Sequence, residues 1–292
     1  MAKKVCLDAG HYGKYNRCPN NSAYYESEVM WKLHLLQKKY LEQLGIEVIL
    51  TRADQTKDYG LTARGQKAKG CDLFISNHSN AVGSGMNETV DHCVIYHQTN
   101  DTATKCDDVS KEFAPKIAKV ITDVMGLKQP YRIAERLSDS DRNGDGKLND
   151  NYYAVLHGAR LVGVPAMIVE HSFHTNTNTV KWLLNDANLD KLAKAEAECI
   201  AEYLGVKKQV VTQTDYPDKF DKGVAGIYTV TADDYLVLRR GANTSKAEIL
   251  RMNPKEEVKC YGSYTKTGNT TWLLVVYKGE VGYASKGYLK KK

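Results

Sequence analysis

The chain has no apolar stretch near the ~20 residues needed to cross a bilayer, so no membrane-spanning helix is expected. It has seven cysteines (Cys6, Cys18, Cys71, Cys93, Cys106, Cys199 and Cys260), an odd number with no C-x-x-C pair. That spacing argues against a cysteine zinc site or a thiol redox motif, and it suits synthesis in a reducing compartment. No H-E-x-x-H occurs, which excludes a thermolysin-like zinc site. No P-loop and no G-x-G-x-x-G occurs, so the phosphate-cradling signatures of nucleotide binding are missing. Internal repeats and low-complexity tracts are also absent. Lys3 and Lys4 are not followed by a long apolar segment, and Val5-Cys6-Leu7 runs directly into His11. The expectation is therefore synthesis in the cytoplasm without a cleavable signal peptide.

What is present is ordinary for a globular chain of 292 residues: 42% hydrophobic and 26% charged. Its net charge of +6 is unevenly spread. Residues 206–292 hold 16 Lys+Arg against 9 Asp+Glu, a surplus of +7, which leaves −1 for residues 1–205. A basic tail on a near-neutral body points to an anionic partner surface, such as nucleic acid, anionic lipid or a bacterial wall.

Up to about residue 205, strand-like and helix-like runs alternate. Helix is expected from Glu28 to Leu44, with Trp31, Leu35, Leu36, Tyr40, Leu41 and Leu44 on one face and Gly45 as its stop. Further helices are expected at Leu61–Ala68, Thr102–Met125 (kinked at Pro115), Tyr152–Arg160 and Leu189–Leu204. Strands are expected at Glu47–Thr51 and Thr89–Tyr96 as well as in the three runs discussed next. This alternation predicts an α/β fold: a mostly parallel twisted sheet flanked by helices. Residues 206–224 read as a polar linker. Residues 225–292 hold only short strand-like runs (Tyr228–Val230, Leu236–Leu238, Val258–Cys260, Trp272–Val276 and Val281–Tyr283), so a second, small all-β domain is expected.

Three apolar runs each lead to a side chain that can bind metal or move a proton. They are Val5-Cys6-Leu7-Asp8-Ala9-Gly10-His11, Asp72-Leu73-Phe74-Ile75-Ser76-Asn77-His78 and Ala166-Met167-Ile168-Val169-Glu170. In an open α/β sheet, ligands sit beyond the carboxyl ends of the strands, so His11, His78 and Glu170 are expected to converge. A catalytic zinc takes three protein ligands, mostly His plus an acid. His11 and His78 supply two. Glu26 and Glu28 both open the first helix, and composition does not choose between them as the third. Glu170, in an apolar run, suits a buried general base. His34, His92, His97 and His157 read as packed core or surface residues. His171 and His174, beside Glu170, are harder to dismiss, and His174 is expected in a substrate groove. Asp139-Ser140-Asp141-Arg142-Asn143-Gly144-Asp145 followed by Asp150 fits a calcium loop. Asp139, Asp141, Asn143, Asp145 and Asp150 are the candidate ligands, and an Asp/Asn/Gly turn is the alternative.

These residues resemble a family. Asp8-Ala9-Gly10-His11-Tyr12-Gly13 resembles the D-x-G-H-G-G start of the zinc-dependent N-acetylmuramoyl-L-alanine amidases of the amidase 3 family. Leu61-Thr62-Ala63-Arg64, Ala68 and Asp72 to Ala81 resemble its L-x-x-R … A … D-L-x-x-S-x-H-x-N-A block. Val164 to Glu170, with Phe173 and Asn176, resembles its P-A-v-l-v-E-x-x-F-x-x-N block. The likeness covers roughly residues 3–205. It selects Glu26 over Glu28, by its spacing to Gly45, and implies His11, Glu26 and His78 as zinc ligands with Glu170 as the catalytic acid. Tyr12, Met30, His171 and His174 depart from the family pattern.

The tail resembles a bacterial SH3-type wall-binding domain, through Tyr228 to Ala232, Leu236 to Gly241, Trp272, Gly282-Tyr283 and Tyr288-Leu289, with Val237 in place of the usual Asn. The implied organisation is a zinc amidase domain at 1–205, a linker at 206–224 and an SH3-like barrel at 225–292. The implied activity is cleavage of the amide between N-acetylmuramic acid and L-alanine of the stem peptide, as in a phage endolysin freed by a holin. The alternatives are a zinc peptidase cutting within the stem peptide and a host autolysin. Zinc, with calcium at the Asp-rich loop, is the expected metal complement. Peptidoglycan and anionic wall polymers are the expected partners, with no nucleic acid and no membrane insertion.

Overall fold

The computed structural model describes residues 2–83, 85–99, 106–206 and 214–292, with backbone alone for 106–111. The expected helix start at Thr102, the Cys106 side chain and residues 207–213 of the expected linker lie outside the described residues. The chain divides into two compact units, Met1–Gln209 and Val210–Lys292.

In the first unit the elements run β1 (Lys4–Ala9), β2 (Arg17–Cys18), β3 (Asn21–Tyr25), α1 (Glu26–Gln43), β4 (Glu47–Leu50), α2 (Leu61–Gln66), β5 (Leu73–Asn80), β6 (Val94–His97), α3 (Cys106–Met125), β7 (Arg132–Ala134), α4 (Ala154–Leu161), β8 (Ala166–Phe173), α5 (Thr177–Leu183) and α6 (Asp186–Tyr203). Six of the strands form one sheet in the order β4-β1-β5-β8-β6-β7. All neighbours are parallel except β6 and β8. Strand alternation then divides the core. Val5, Leu7, Leu73, Ile75, Met167 and Val169 face one way and pack with Leu33 of α1, Ile117 of α3 and Leu192 of α6. Cys6, Phe74 and Ile168 face the other way, onto Val155, Leu156 and Ala159 of α4. Each such buried aliphatic side chain stabilises the fold by about 1.5–3 kcal/mol. Helices α2 and α4 cross at two glycines. A Cβ on Gly65 would sit 2.1 Å from the Val155 carbonyl oxygen, and one on Gly158 would sit 2.1 Å from that of Thr62.

Several expectations need correction. The buried face of α1 is Val29, Met30, Leu33, His34, Gln37 and Leu41, and the expected face residue Leu35 is 41% exposed. Hydropathy misled because His34 and Gln37 are polar but have internal partners. His34 Nδ1 lies 2.5 Å from the Trp31 carbonyl oxygen, and Gln37 bonds Asn77. The expected strand Thr89–Tyr96 is only Val94–His97. Asn87 Oδ1 accepts from the amide of Thr89 and closes a turn where the strand was expected to begin. His78 and Glu170 are not strand ends, because β5 continues to Asn80 and β8 to Phe173.

The second unit is all-β: β9 (Lys219–Phe220), β10 (Gly226–Val230), β11 (Leu236–Arg239), β12 (Glu248–Met252), β13 (Glu257–Thr267), β14 (Thr270–Tyr277), β15 (Glu280–Ser285) and β16 (Leu289–Lys291). Its pairings are antiparallel, in the order β12-β11-β15-β14-β13-β10-β16 with β9 on β13. Tyr228, Leu238, Leu273 and Val275 fill its core, and Trp272 and Tyr283 are buried beside it. Tyr235 and Tyr288 are exposed. The expected linker is shorter than 206–224. The Asp215 amide donates to the Arg240 carbonyl, Thr214 Oγ1 donates to the Val281 carbonyl, and β9 pairs with β13. Residues 214–224 therefore belong to this unit.

Candidate metal centre

β1 and β5 are parallel neighbours with Ala9 opposite Asn77, so their carboxyl-terminal ends lie side by side. His11 follows β1 by two residues in a left-handed conformation, φ 59°. That turn is anchored from below. Arg52 and Arg64 donate to the Ala9 carbonyl, and Arg64 also donates to the His11 carbonyl at 3.2 Å. Asp8 is buried and accepts from Thr51 Oγ1 at 2.5 Å and Ser76 Oγ at 2.7 Å. Gly10 leaves room for the His78 ring, since a Cβ there would lie 2.4 Å from His78 Cε1.

Glu26 is the first residue of α1 and is almost fully buried. Its Oε1 is 2.8 Å from His78 Nδ1 and 3.4 Å from His11 Nε2, and it accepts from the Ser79 amide at 3.1 Å. His11, Glu26 and His78 each offer one ligand atom, all within 4.8 Å of one another. No other such cluster occurs among the described residues, and Glu28 is not part of this one. Burial works to raise the Glu26 pKa. The hydrogen bonds and charge of His11 and His78 outweigh it and hold the carboxyl well below the usual range.

Sequence reasoning missed Asn16. Its Nδ2 donates to Glu26 Oε2 at 2.7 Å and lies 3.0 Å from His11 Nε2. Its carbonyl accepts from the Glu26 amide, and its φ is 53°. The only signal was its type, since Asn tolerates left-handed turns.

Glu170 lies opposite His78 in the β5–β8 register, so both side chains leave the same face of the sheet. Glu170 Oε2 is buried and has no hydrogen-bond partner among the described residues. Burial, with repulsion from Glu26, pushes its pKa well above the ordinary value. A groove of about 580 Å³ opens over the cluster, walled by His11, Tyr12, Tyr15, Leu61, His78 and Tyr153.

His174 is not in that groove. It is buried, its Nδ1 lies 2.9 Å from the Ser79 carbonyl oxygen and 3.9 Å from Glu26 Oε2, and its ring stacks on Tyr24. Burial lowers its pKa, against the pull of the nearby Glu26 charge. His171 is fully buried on the opposite sheet face, 2.9 Å from Glu196 Oε1. Burial opposes its charge, but the Glu196 carboxylate outweighs that and raises its pKa. His92, His97 and His157 are also buried.

The calcium expectation finds no support: among the described residues, Asp139, Asp141, Asp145 and Asp150 form no cluster of converging ligand atoms. Asp141 accepts from the amides of Gly144 and Gly146, Asn143 from Asp145, Asp145 from Lys147, and Asp150 from Arg142 and Asn143. Both oxygens of Asp141, Oδ1 of Asn143 and Asp145, and Oδ2 of Asp150 are turned onto the loop's own backbone, as in an Asx-rich turn, whereas Asp150 Oδ1 is buried without a hydrogen-bond partner among the described residues.

Residues 5–202 match the family model Amidase_3, N-acetylmuramoyl-L-alanine amidase. The chain belongs to the N-acetylmuramoyl-L-alanine amidase family. It is a peptidoglycan amidase, acting on the bond between N-acetylmuramic acid and L-alanine. It is 30% identical over 230 residues to the endolysin of Bacillus phage SPP1, covering 77% of this chain and 74% of that one. It is 25% identical over 207 residues to the N-acetylmuramoyl-L-alanine amidase CwlM of Bacillus licheniformis, covering 70% of each. Among solved structures, the catalytic domain of the amidase CwlV from Bacillus (Paenibacillus) polymyxa var. colistinus matches with TM-score 0.54 at 24% identity, over 70% of this chain and 99% of that one. The N-acetylmuramoyl-L-alanine amidase of Clostridium difficile 630 matches with TM-score 0.55 at 24% identity, over 70% of this chain and 98% of that one. At this identity the solved structures establish a shared fold. The family's D-x-G-H and L-x-x-R motifs gain a physical meaning here: Asp8 and Arg64 hold the turn that aims His11.

Proposed function

We propose that this amidase holds a zinc ion through His11, Glu26 and His78 and uses Glu170 as its general base. The observation carrying this reading is the approach of two imidazoles and a carboxylate to within 4.8 Å of one another, at the end of β1, the start of α1 and within β5. Two His and one acid, with His11 and His78 lining an open groove, suit catalytic zinc. When bound, the ion supplies Lewis acidity to the scissile carbonyl and eases deprotonation of water. The chain's own groups do the rest. The groove admits the sugar–peptide junction, with Tyr12 and Tyr15 as its aromatic wall. Glu170 takes the proton from the attacking water and returns it to the departing L-alanine amine. Asp8, Arg52 and Arg64 keep His11 turned toward Glu26. Mass spectrometry of digested peptidoglycan tests the bond choice. Free stem peptides beginning with L-alanine are expected. Intact sugar–peptide links with cut stem bonds would point to a zinc peptidase instead.

We further propose that residues 214–292 are an SH3-like wall-binding domain and that the protein is an endolysin of phage origin. The antiparallel order, the buried Trp272 and Tyr283 and the basic surplus of the tail support the first. The similarity to a phage endolysin supports the second. Anionic wall polymers would be drawn to the basic tail, and tethering raises the enzyme's local concentration at its substrate. A holin gene beside its own would support release by a phage, whereas a bacterial wall-turnover locus would favour an autolysin.

A further inference from the structure

Directly behind the metal centre, on the other face of the sheet, lies a group of four polar side chains with no exposed surface: Gln37, Asn77, His171 and Glu196. Strand alternation puts it there. Asn77 precedes His78 and His171 follows Glu170, so both leave the face opposite to the one that carries His78 and Glu170. The contacts form an unbroken set. His171 Nε2 lies 2.9 Å from Glu196 Oε1, and its Nδ1 lies 3.0 Å from the carbonyl oxygen of His78. A carbonyl only accepts, so Nδ1 carries a proton, and Nε2 donates to the carboxylate. Glu196 Oε2 accepts from Gln37 Nε2 at 2.9 Å. Gln37 and Asn77 exchange amide hydrogen bonds at 3.1 and 2.8 Å. The Asn77 carbonyl accepts from the Gly10 amide at 2.8 Å.

The set therefore reaches every element that carries a site residue. Gly10 leads to His11, Gln37 lies on the helix that begins at Glu26, the His78 carbonyl is gripped directly, and His171 adjoins Glu170. A hydrophobic core needs no such group, because well-packed apolar residues usually serve stability as well as a buried ion pair does. A directional set of hydrogen bonds adds something apolar packing lacks: it fixes the backbone positions from which ligands project. We propose that His171 and Glu196, acting with Gln37 and Asn77, are positioning residues that align the metal-holding residues from the reverse side of the sheet.

This inference rests on the zinc reading above. The test compares the full chain with the double variant His171→Leu/Glu196→Leu, which removes both charges together and leaves no unpaired one, and with Glu196→Gln. The latter is isosteric but offers one acceptor oxygen where the carboxylate offers two, so it cannot accept from both His171 Nε2 and Gln37 Nε2. Each is loaded with zinc and titrated against a chromophoric chelator, and kcat and KM are measured on peptidoglycan fragments. The expected result is a folded double variant with a zinc dissociation constant raised about 10–100-fold, as for outer partners of metal ligands elsewhere. Its kcat should be lowered and its KM unchanged, and Glu196→Gln should move in the same direction. Folded variants with native zinc affinity and native kcat would overturn the inference. So would loss of folding in both, which would assign the group to folding alone. A wild-type chain that takes up no zinc would instead overturn the metal reading itself.

Discussion

Glu170 and His78 sit opposite each other in the register between β5 and β8, yet they are bonded very differently. His78 Nδ1 lies 2.8 Å from Glu26, whereas one oxygen of Glu170 is buried without a hydrogen-bond partner among the described residues. The first arrangement suits a ligand and the second a proton carrier. Glu170→Ala should therefore retain zinc at the wild-type ratio while its turnover falls about 10²–10⁴-fold. Metal content by atomic absorption, beside the rate of wall clearing, checks this. Near-native clearing by Glu170→Ala would remove it as the base.

The same environment makes Glu170 a liability for the metal-free fold. Its folded pKa is raised, so the sign runs opposite to that of an ion-paired carboxylate. Below about pH 4.3 the folded and unfolded chains both carry the proton and the group contributes nothing. Above that pH the unfolded chain ionises freely while the folded one resists, and stability is lost. With a chelator present, Glu170→Gln should melt higher than wild type at pH 7 and at the same temperature near pH 4. Each kcal/mol relieved should appear as about 2–4 °C. Equal melting temperatures at both pH values would contradict the assignment.

Gly10→Ala should weaken zinc binding more than it weakens the fold. The new methyl would meet the His78 ring at 2.4 Å, and that ring, 18% exposed, has room to swing toward the groove. Isothermal titration with zinc and a thermal melt on the same sample would separate the two effects. A large fall in melting temperature with unchanged zinc affinity would refute this account.

Millimolar calcium should leave the melting temperature unchanged. The loop at 139–150 already spends both oxygens of Asp141 and Oδ2 of Asp150 on its own amides, so a cation would have to pull Asp141 away from Gly144 and Gly146. A calcium-dependent rise, abolished by Asp141→Ala, would restore the loop as a cation site.

A fluorescent fusion of residues 206–292 should decorate susceptible cell walls, and rising salt should release part of it, because the tail's surplus of +7 is screened. No decoration at low salt would reduce the second unit to an appendage.

Much of this molecule is legible in its sequence because the signals are local. Apolar runs bounded by glycine and polar residues mark β1, β5 and β8, and the spacing of His11, Arg64, His78 and Glu170 carries the family motifs. The short β-rich runs of the tail fall within β10, β11, β13, β14 and β15. Those features depend on backbone period and on residues near one another in the chain.

Other features depend on partners far away in the chain, and only tertiary structure decided them. The inward face of α1 includes Gln37 because Asn77 and Glu196 wait for it 40 and 159 residues away. His171 and Glu196 are 25 residues apart and nothing in the sequence links them, yet they are buried together because each offsets the other's desolvation. Asn16 reaches Glu26 and His11 only because a left-handed turn folds it back. His174 backs Glu26 because β8 continues past Glu170 and carries the chain under Ser79. The Asp-rich loop has the composition of a cation site, but Asp141, Asp145 and one oxygen of Asp150 bond the loop's own amides. A side chain's type can be read from sequence, whereas the group that satisfies it when buried is set by where the rest of the chain folds.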